Sequence, residues 1–570
     1  MVRHRGSRST GAVSKTPRGP RRRSRPARRA PRAAPRPARA RPARNPVMTT
    51  GRSESNVGAA PDHATPLGRR TDRPPGQRAH SSTAAEPRSN VSNTATGHGE
   101  DRAFKGKVTA FAIAAAVGGF LFGFDSSVIN GAVDAIKGEF GLSEAASGFA
   151  VASALIGCAF GAYFAGRLAD RWGRTRVMFW AAVLFFVSSI GAGFAFATWD
   201  FVIWRLVGGL GIGTASVIAP AYISEVSPKA IRGRLASFQQ LAITLGIFAA
   251  LLSDQFFAVT AGGASEVVAG LPAWRWMFLV GIVPSVVYGI LAITLPESPR
   301  YLLAKGRKDD AREVMTKIVP RDTVNTSLEE IQDGIEKEAK EKKGSIRGNR
   351  FGLQPIVWVG IILAVLQQFV GINVIFYYST TLWQAVGFKE DQSFLISTIT
   401  SVVNVAVTFI AIFTVDKLGR KPLLVAGSSG MFISLLMVAI AFSQATIVDG
   451  APQLPGPWGV IALIFANLFV VSFGATWGPL MWVLLGEMFP NRIRATALGI
   501  GSAANWIANF VVTITFPVLS GFNLTVTYGI YALFALISLF FVIAKIPETK
   551  GRSLEEMGIS AEGDTVNAKA

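Results

Sequence analysis

Two opposite charges lie inside apolar stretches of this 570-residue sequence: Asp125 in the run 108–129 and Arg205 in the run 199–222. A charged side chain at membrane depth is costly unless it is paired. Burial disfavours the charged form of a carboxyl group, whereas a nearby guanidinium favours it, so small movements can change its protonation. We predict that Asp125 and Arg205 pair and that Asp125 can carry a proton; a static salt bridge is the alternative. We expect no other charge well inside the apolar runs.

Amide and aromatic side chains are the second chemical signal in these runs. Amides both donate and accept hydrogen bonds, and an aromatic ring offers a flat apolar surface, which together suit a small ligand with both polar groups and an apolar face. For any single one of them, a contact between helices is the competing interpretation. The residues concerned are Gln239, Gln240, Gln367, Gln368, Asn373, Asn404, Trp482, Asn505, Trp506 and Asn509.

The runs themselves predict the fold. Half of the residues are hydrophobic and 16% are charged, and about 20 apolar residues suffice to cross a bilayer as a helix. We therefore predict an all-α membrane protein with twelve transmembrane helices in two pseudo-symmetric halves of six. The predicted spans are 108–129, 148–168, 177–197, 199–222, 235–254, 276–295, 354–380, 393–416, 421–443, 458–486, 495–518 and 525–546.

Charged turns repeated in both halves support a duplication, which is common among transporters. Each half carries an Asp-x-x-Gly-Arg turn, a later Glu with Arg seven residues on, and a Pro-Glu pair after its sixth span. We predict an ion-pair network at the cytoplasmic helix ends that stabilises the outward-facing state. If these residues only set the orientation of the chain in the membrane, that role would explain the basic residues but not the acidic ones. The predicted network comprises Asp170, Arg174, Glu225, Arg232, Glu297, Arg300, Asp416, Arg420, Glu487 and Arg494.

The tails account for most of the net charge of +22. Residues 1–47 contain fifteen Arg and one Lys without any acid, a composition typical of disorder. This segment is either a basic arm or a stretch upstream of a true start at Met48. We expect a disordered tail over 1–104, a first half over 105–296, a helical cytoplasmic linker over 297–353, a second half over 354–548 and a cytoplasmic tail over 549–570. Basic residues before the first span place both termini in the cytoplasm.

Several chemistries find no support in the sequence. No metal-ligand cluster or phosphate-binding Gly-Lys-Ser/Thr loop is evident, and we assign the single cysteine, Cys158, no role. The glycine-rich stretch 208–213 lies in a predicted span, where glycine permits close helix packing, so we reject a dinucleotide site. We therefore expect no enzymatic activity, no cofactor, no metal and no nucleic-acid partner.

The motifs resemble those of the sugar porter family of the major facilitator superfamily. The resemblance covers about 105–555 and rests on the two Asp-x-x-Gly-Arg turns and on four further segments. It is nearest to the bacterial proton-linked, xylose-type sugar symporters. It implies a bundle whose halves rock around a sugar held between them. The four segments are Pro296-Glu-Ser-Pro-Arg-Tyr-Leu302, Gln367-Gln-Phe-Val-Gly-Ile-Asn373, Tyr377-Tyr378 and Pro547-Glu-Thr-Lys-Gly551.

The resemblance also implies roles for individual residues. Asp125 stands where proton symporters of the family carry Asp and animal facilitators carry Asn. Gly371 is expected to loosen the seventh span, which would serve as a gate. The sugar-contacting positions correspond to Gln240, Gln367, Gln368, Asn373, Trp482 and Asn505. The pocket-lining positions correspond to Phe122, Tyr378, Asn404, Trp506 and Asn509.

We accordingly expect a monomeric plasma-membrane protein that takes up a hexose or pentose with a proton as the coupling ion. Three alternatives stay open at this point: an uncoupled sugar facilitator, a carrier of other polyols such as inositol, and a sugar sensor with a transporter fold.

Overall fold

Within the residues that the structure describes, twelve helical segments are long and apolar enough to cross a membrane, which confirms the predicted spans. The computed structural model describes residues 94–549 apart from 229–230, 341–344, 349–351, 449–450 and 491, so the basic segment 1–47 lies outside the described residues. The segments are Gly106–Glu139, Glu144–Trp172, Arg174–Gly193, Thr198–Val226, Ser237–Ala261, Ala273–Thr294, Pro355–Tyr377, Glu390–Thr414, Arg420–Ser443, Trp458–Glu487, Thr496–Phe522 and Leu524–Lys545.

Eight helices build the first six spans, because the first and the sixth span are each interrupted once. A short antiparallel hairpin, β1 (Val267–Val268) and β2 (Leu271–Pro272), connects the fifth and sixth spans. The helices are α1 (Thr94–Ser127), α2 (Ile129–Glu139), α3 (Glu144–Trp172), α4 (Arg174–Gly193), α5 (Thr198–Val226), α6 (Arg232–Ala261), α7 (Ala273–Leu279) and α8 (Ile282–Thr294).

Three further helices form the segment between the halves: α9 (Pro299–Ala304), α10 (Lys308–Ile318) and α11 (Val324–Lys340), with a 3-10 turn at Arg321–Thr323. Their apolar residues are spaced at helical intervals. Leu302, Ala311 and Ile318 consequently join the buried core of the first half. We call the end of the bundle that carries α9–α11 the linker end, and the opposite end the far end.

The second half contains the remaining helices, with a π-helical turn at Phe473–Trp477 in the tenth span and a hairpin of β3 (Thr446–Val448) and β4 (Ala451–Gln453). The helices are α12 (Pro355–Phe369), α13 (Ile372–Tyr377), α14 (Ser379–Ala385), α15 (Glu390–Leu418), α16 (Arg420–Ser443), α17 (Trp458–Ser472), α18 (Gly478–Glu487), α19 (Arg494–Phe522) and α20 (Leu524–Lys545).

Gly371 interrupts the seventh span, as expected. Its φ of 83° is left-handed, and α12 ends before it while α13 begins after it. Glycine adopts this conformation without a steric penalty. A Cβ here would also lie 2.7 Å from the Tyr531 ring. The break changes the direction of the chain between Gln368 and Asn373.

Glycines let α3 and α5 pack backbone against backbone. A Cβ at Gly209 would lie 2.0 Å from the Ala154 carbonyl oxygen, and one at Gly213 would lie 2.1 Å from that of Cys158. The stretch 208–213 therefore serves helix packing, which is the role predicted for it. This close approach holds α5, and with it Arg205, against the rest of the first half.

The two halves contact each other at the far end. The Thr380 amide donates to Asn130 Oδ1 at 3.1 Å, and the Thr380 hydroxyl donates to the Asn130 carbonyl oxygen at 2.6 Å. Nearby, the Ala264 amide donates to Glu390 Oε1 at 2.8 Å. These bonds join α2 and the end of α6 in the first half to α14 and α15 in the second.

We expect Gly213→Ala to destabilise the protein, because its methyl group would collide with a backbone carbonyl that cannot rotate away. Overpacking of this kind costs about 1–3 kcal/mol. Thermal unfolding in detergent should show a melting temperature several degrees lower. Gly166→Ala on α3 is the matched control, since no atom lies within 4 Å of the position of its Cβ. Equal melting temperatures for the two variants would contradict the packing argument.

Candidate functional site

The two buried charges form an ion pair, as predicted. Arg205 Nη1 lies 3.2 Å from Asp125 Oδ2 and donates to the Asp125 carbonyl oxygen at 3.0 Å. Both side chains are buried, with 2% and 8% of their surfaces exposed. Gly208 makes room for the pair, because a Cβ there would lie 3.3 Å from Asp125 Oδ2.

A small cavity between the halves adjoins this ion pair. Phe122, Ser126 and Arg205 line it from the first half, and Tyr377 and Trp506 line it from the second. The rings of Phe122 and Trp506 approach to 5.8 Å between centroids. The cavity therefore joins a charged pair to the aromatic surfaces expected of a pocket for a ring-shaped ligand.

Four of the predicted sugar-contacting residues form one hydrogen-bonded cluster, which we call the amide cluster: Gln367, Gln368, Asn373 and Asn505. Asn373 Nδ2 donates to Gln368 Oε1 at 2.6 Å. Gln368 Nε2 donates to Asn505 Oδ1 at 3.2 Å, and Asn505 Nδ2 donates to Gln367 Oε1 at 2.8 Å. The break at Gly371 allows Asn373 to turn back to Gln368.

The amide cluster is saturated by its own members and by backbone carbonyls. Gln367 Nε2 donates to the Trp477 carbonyl oxygen at 3.1 Å, and Asn505 Nδ2 donates to that of Ala364 at 3.0 Å. A ligand hydroxyl can replace one amide partner by both donating and accepting. The cluster is thus suited to exchanging internal hydrogen bonds for bonds to a ligand.

The structure places the other predicted pocket residues differently. The Tyr378 hydroxyl donates to the Thr513 carbonyl oxygen at 3.0 Å, and Asn404 Oδ1 faces Gly474 in the π-helical turn. Gln240 is half-buried on α6. Trp482 is 41% exposed on α18, outside the amide cluster. Asn509 Oδ1 accepts from the Thr513 hydroxyl at 3.2 Å.

The charged turns at the linker end adopt the same arrangement in both halves. Arg174 Nε lies 3.0 Å from Glu225 Oε2, and Arg420 Nη2 lies 3.0 Å from Glu487 Oε1. The turn glycines match as well, with φ of 98° at Gly173 and 89° at Gly419. Each pair joins helices of the same half, so it holds that half together at the linker end.

A second acid in each half accepts from the backbone of the same turn. The Arg174 amide donates to Glu297 Oε1 at 3.0 Å, and the Arg420 amide donates to Glu548 Oε1 at 3.0 Å. Helix amino termini favour such carboxylates. Our prediction included Glu297 but missed Glu548, although the repeated Pro-Glu motif was the signal that could have identified it.

The remaining residues of the predicted ion-pair network differ in exposure and in their bonding partners. Asp170 is 76% exposed and lies 3.3 Å from Arg174. Arg300 is half-buried. Arg494 donates to the Phe489 carbonyl oxygen at 3.1 Å, and burial lowers the pKa of its guanidinium. The side chains of Arg232 and Asp416 lie outside the described residues.

The expectation of only two charges inside the spans is wrong. The fifth span continues to Ala261 rather than ending at residue 254. Asp254 therefore lies inside the membrane segment and is 0% exposed. The physical reason is that Ser253, Asp254 and Gln255 interrupt the apolar run in sequence while the helix continues through them.

Among the described residues, no group of three or more His, Cys, Asp or Glu could hold a metal ion.

Comparison with known proteins places this geometry in a family. The family model "Sugar (and other) transporter" matches residues 111–560. The glucose transport protein of Synechocystis sp. is 52% identical over 446 residues, which cover 78% of this chain and 95% of the relative. The D-xylose-proton symporter of Escherichia coli K12 is 37% identical over 491 residues, covering 80% of this chain and 96% of the relative.

Solved structures agree with the sequence comparison. The proton:xylose symporter XylE bound to 6-bromo-6-deoxy-D-glucose is 35% identical with a TM-score of 0.65, covering 80% of this chain and 99% of the other. A partially occluded inward-open form of XylE from E. coli gives a TM-score of 0.68 at 33% identity, covering 79% and 100%. With its twelve spans, its buried ion pair and these matches along its length, the chain belongs to the sugar transporter family of the major facilitator superfamily and is a transporter, not an enzyme.

Proposed function

We propose that this protein carries a monosaccharide, a hexose or a pentose, across the cell membrane together with a proton. The observation that carries the proposal is the buried Asp125–Arg205 pair beside a cavity shared by both halves. A carboxylate at this position can exchange a proton only when water reaches it, and its charge controls the pairing of Arg205. Relatives named as glucose and D-xylose-proton transporters support both parts of the proposal.

The proposed sugar site combines the amide cluster with the aromatic lining of the cavity. Asn505 and Trp506 are adjacent on α19, so the amide cluster and the aromatic lining meet on one helix. Gln240, Trp482 and Asn404 would join the site by movement of their helices. Hydroxyl groups would replace bonds within the amide cluster, while an apolar sugar face would contact the Trp506 and Phe122 rings.

Protonation of Asp125 would drive the conformational change. When the carboxylate is charged, it holds Arg205 in the pair, with Nη1 at 3.2 Å from Oδ2. A proton from outside would neutralise Asp125, weaken the pair and allow the halves to close around sugar. Release of the proton inside would restore the pair. Such a cycle couples the two fluxes because each ligand shifts the same two-state equilibrium.

We take the far end as extracellular, with both termini and α9–α11 in the cytoplasm, on the basis of the basic residues at the linker end. The bonds between Asn130 and Thr380 then close the extracellular side. The pairs Arg174–Glu225 and Arg420–Glu487 would stabilise each half as the linker end opens and closes. We expect the monomer to be the working unit.

Asp125→Asn should abolish proton-driven accumulation while leaving exchange across the membrane. The amide keeps the shape of the side chain but cannot bind and release a proton. In proteoliposomes with an acidic exterior, internal sugar should rise above the external concentration for the wild type and only equal it for the variant. Sugar counterflow should persist in both. Asp310→Asn on the exposed surface of α10 is the matched control and should accumulate normally.

Accumulation by Asp125→Asn would rule out this coupling mechanism. Equilibration without accumulation by the wild type would identify an uncoupled facilitator. Binding of sugar without any counterflow would identify a sensor.

Asn505→Ala should weaken sugar binding about tenfold to a hundredfold. The substitution removes one ligand and leaves Gln367 and Gln368 short of a partner, a loss of about 1–3 kcal/mol. Calorimetric titration of the purified protein with glucose, xylose, arabinose and inositol measures the effect and ranks the substrates. Asn467→Ala is the control, because Asn467 is a half-buried amide on α17 that bonds to the Leu463 carbonyl oxygen. An unchanged Kd for Asn505→Ala would remove the amide cluster from the site.

A further inference from the structure

A second buried acid inside the spans, Asp254, lies without a counter-charge among the residues that the structure describes. It is 0% exposed on α6. Oδ2 accepts from the Gly131 amide at 3.2 Å, whereas Oδ1 has no hydrogen-bond partner in the described ranges of the chain. A Cβ at Gly131 would lie 2.7 Å from the Asp254 Cβ and 2.8 Å from Met277 Sδ. Helices α2, α6 and α7 therefore close tightly around this carboxyl group.

The charged groups on the surrounding elements are engaged elsewhere. Among the described residues, no cation forms an ion pair with Asp254. Arg205 pairs with Asp125. Other charged groups near the far end also have partners: Lys137 pairs with Glu144, Arg275 pairs with Glu139, and Asp134, Asp200 and Glu390 accept hydrogen bonds from Thr381, Trp204 and the Ala264 amide.

An ionised carboxylate in this position would be buried with one weak hydrogen bond and no compensating charge. Such a state is far more costly than the neutral acid. The pairing of Asp125 and the isolation of Asp254 thus imply opposite protonation states in the same conformation. We propose that Asp254 is a second proton-binding group, which keeps its proton, on Oδ1, while the far end is closed.

Access to Asp254 is controlled by the contact between the halves. The Thr398 hydroxyl on α15 donates to the carbonyl oxygen of Leu251, three residues before Asp254 on α6. Asp254 also lies nearer the far end than Asp125, since Gly131 follows Asp125 by six residues, about 9 Å along a helix. When α15 separates from α6, water at the far end reaches Asp254, and the carboxyl group exchanges its proton with the solvent there according to its pH. This part rests on the proposed alternating-access function.

Infrared spectroscopy tests the protonation state directly. At pH 8 an exposed carboxyl is ionised, so the C=O stretching band of a protonated carboxylic acid should report a buried neutral group. We expect this band in the full-length wild-type protein and in Asp125→Asn, and its loss in Asp254→Asn. The asparagine retains an oxygen for the Gly131 amide, so the variant should fold. Absence of the band from the wild type, which needs no folded variant, would overturn the proposal, as would its persistence in folded Asp254→Asn.

Counterflow in proteoliposomes tests the access step separately from coupling. In the Asp125→Asn background, exchange should slow about tenfold per pH unit once Asp254 ionises at alkaline pH, because the far end cannot close over an unpaired carboxylate. The double variant Asp125→Asn/Asp254→Asn should show a flat profile. Identical profiles would refute the access step even if Asp125→Asn still abolishes accumulation. An Asp254-dependent infrared band in a protein that accumulates no sugar would refute only the proposed symport.

Discussion

The cost of a charge in an apolar medium governs the organisation of this protein. Asp125 and Arg205 are buried together, and their proximity depends on features distributed over several helices. The α3 and α5 backbones meet at glycines, Gly208 makes room beside the carboxylate, and the first span is interrupted between α1 and α2 close to Asp125. Because a single buried charge would be prohibitive, any movement that separates the pair must be accompanied by a proton or by water. The cavity adjoining Arg205 is lined by residues of both halves, so separation of the pair would change the contacts of both.

The buried amides of the second half also need partners, and they find them in hydrogen bonds rather than in an ion pair. Gln367, Gln368, Asn373 and Asn505 bond to one another and to backbone carbonyl oxygens. Burying them without partners would be destabilising, yet bonds between amides can be exchanged for bonds to hydroxyl groups at little cost. The two halves therefore differ in chemistry although their turns at the linker end coincide in conformation. The repeated turns hold each half rigid, and the unrepeated side chains provide the candidate site.

Hydropathy alone predicted all twelve spans, because a helix in lipid must satisfy its own backbone and present apolar side chains along its length. The pairing of Asp125 with Arg205 followed from the same reasoning, since each needed a partner. Asp254 was missed because the polar residues 253–255 suggested the end of the fifth span, whereas the helix continues to Ala261. Glu548 was missed although its Pro-Glu motif repeats that of Glu297; the structure shows its contact, where the end of α20 returns to the start of α16.

The sequence by itself determined the number and order of the spans, the duplication and the identity of the buried ion pair. These properties depend on local apolar length and on residue types that need a partner. Only the tertiary structure decided which amides bond to one another, that the linker-end ion pairs join helices within a half, and that the halves meet at the far end. It also decided that Asp254 has no counter-charge within the described part of the chain. Those outcomes depend on how helices distant in the chain approach one another, and hydropathy and motif spacing carry no information about that approach.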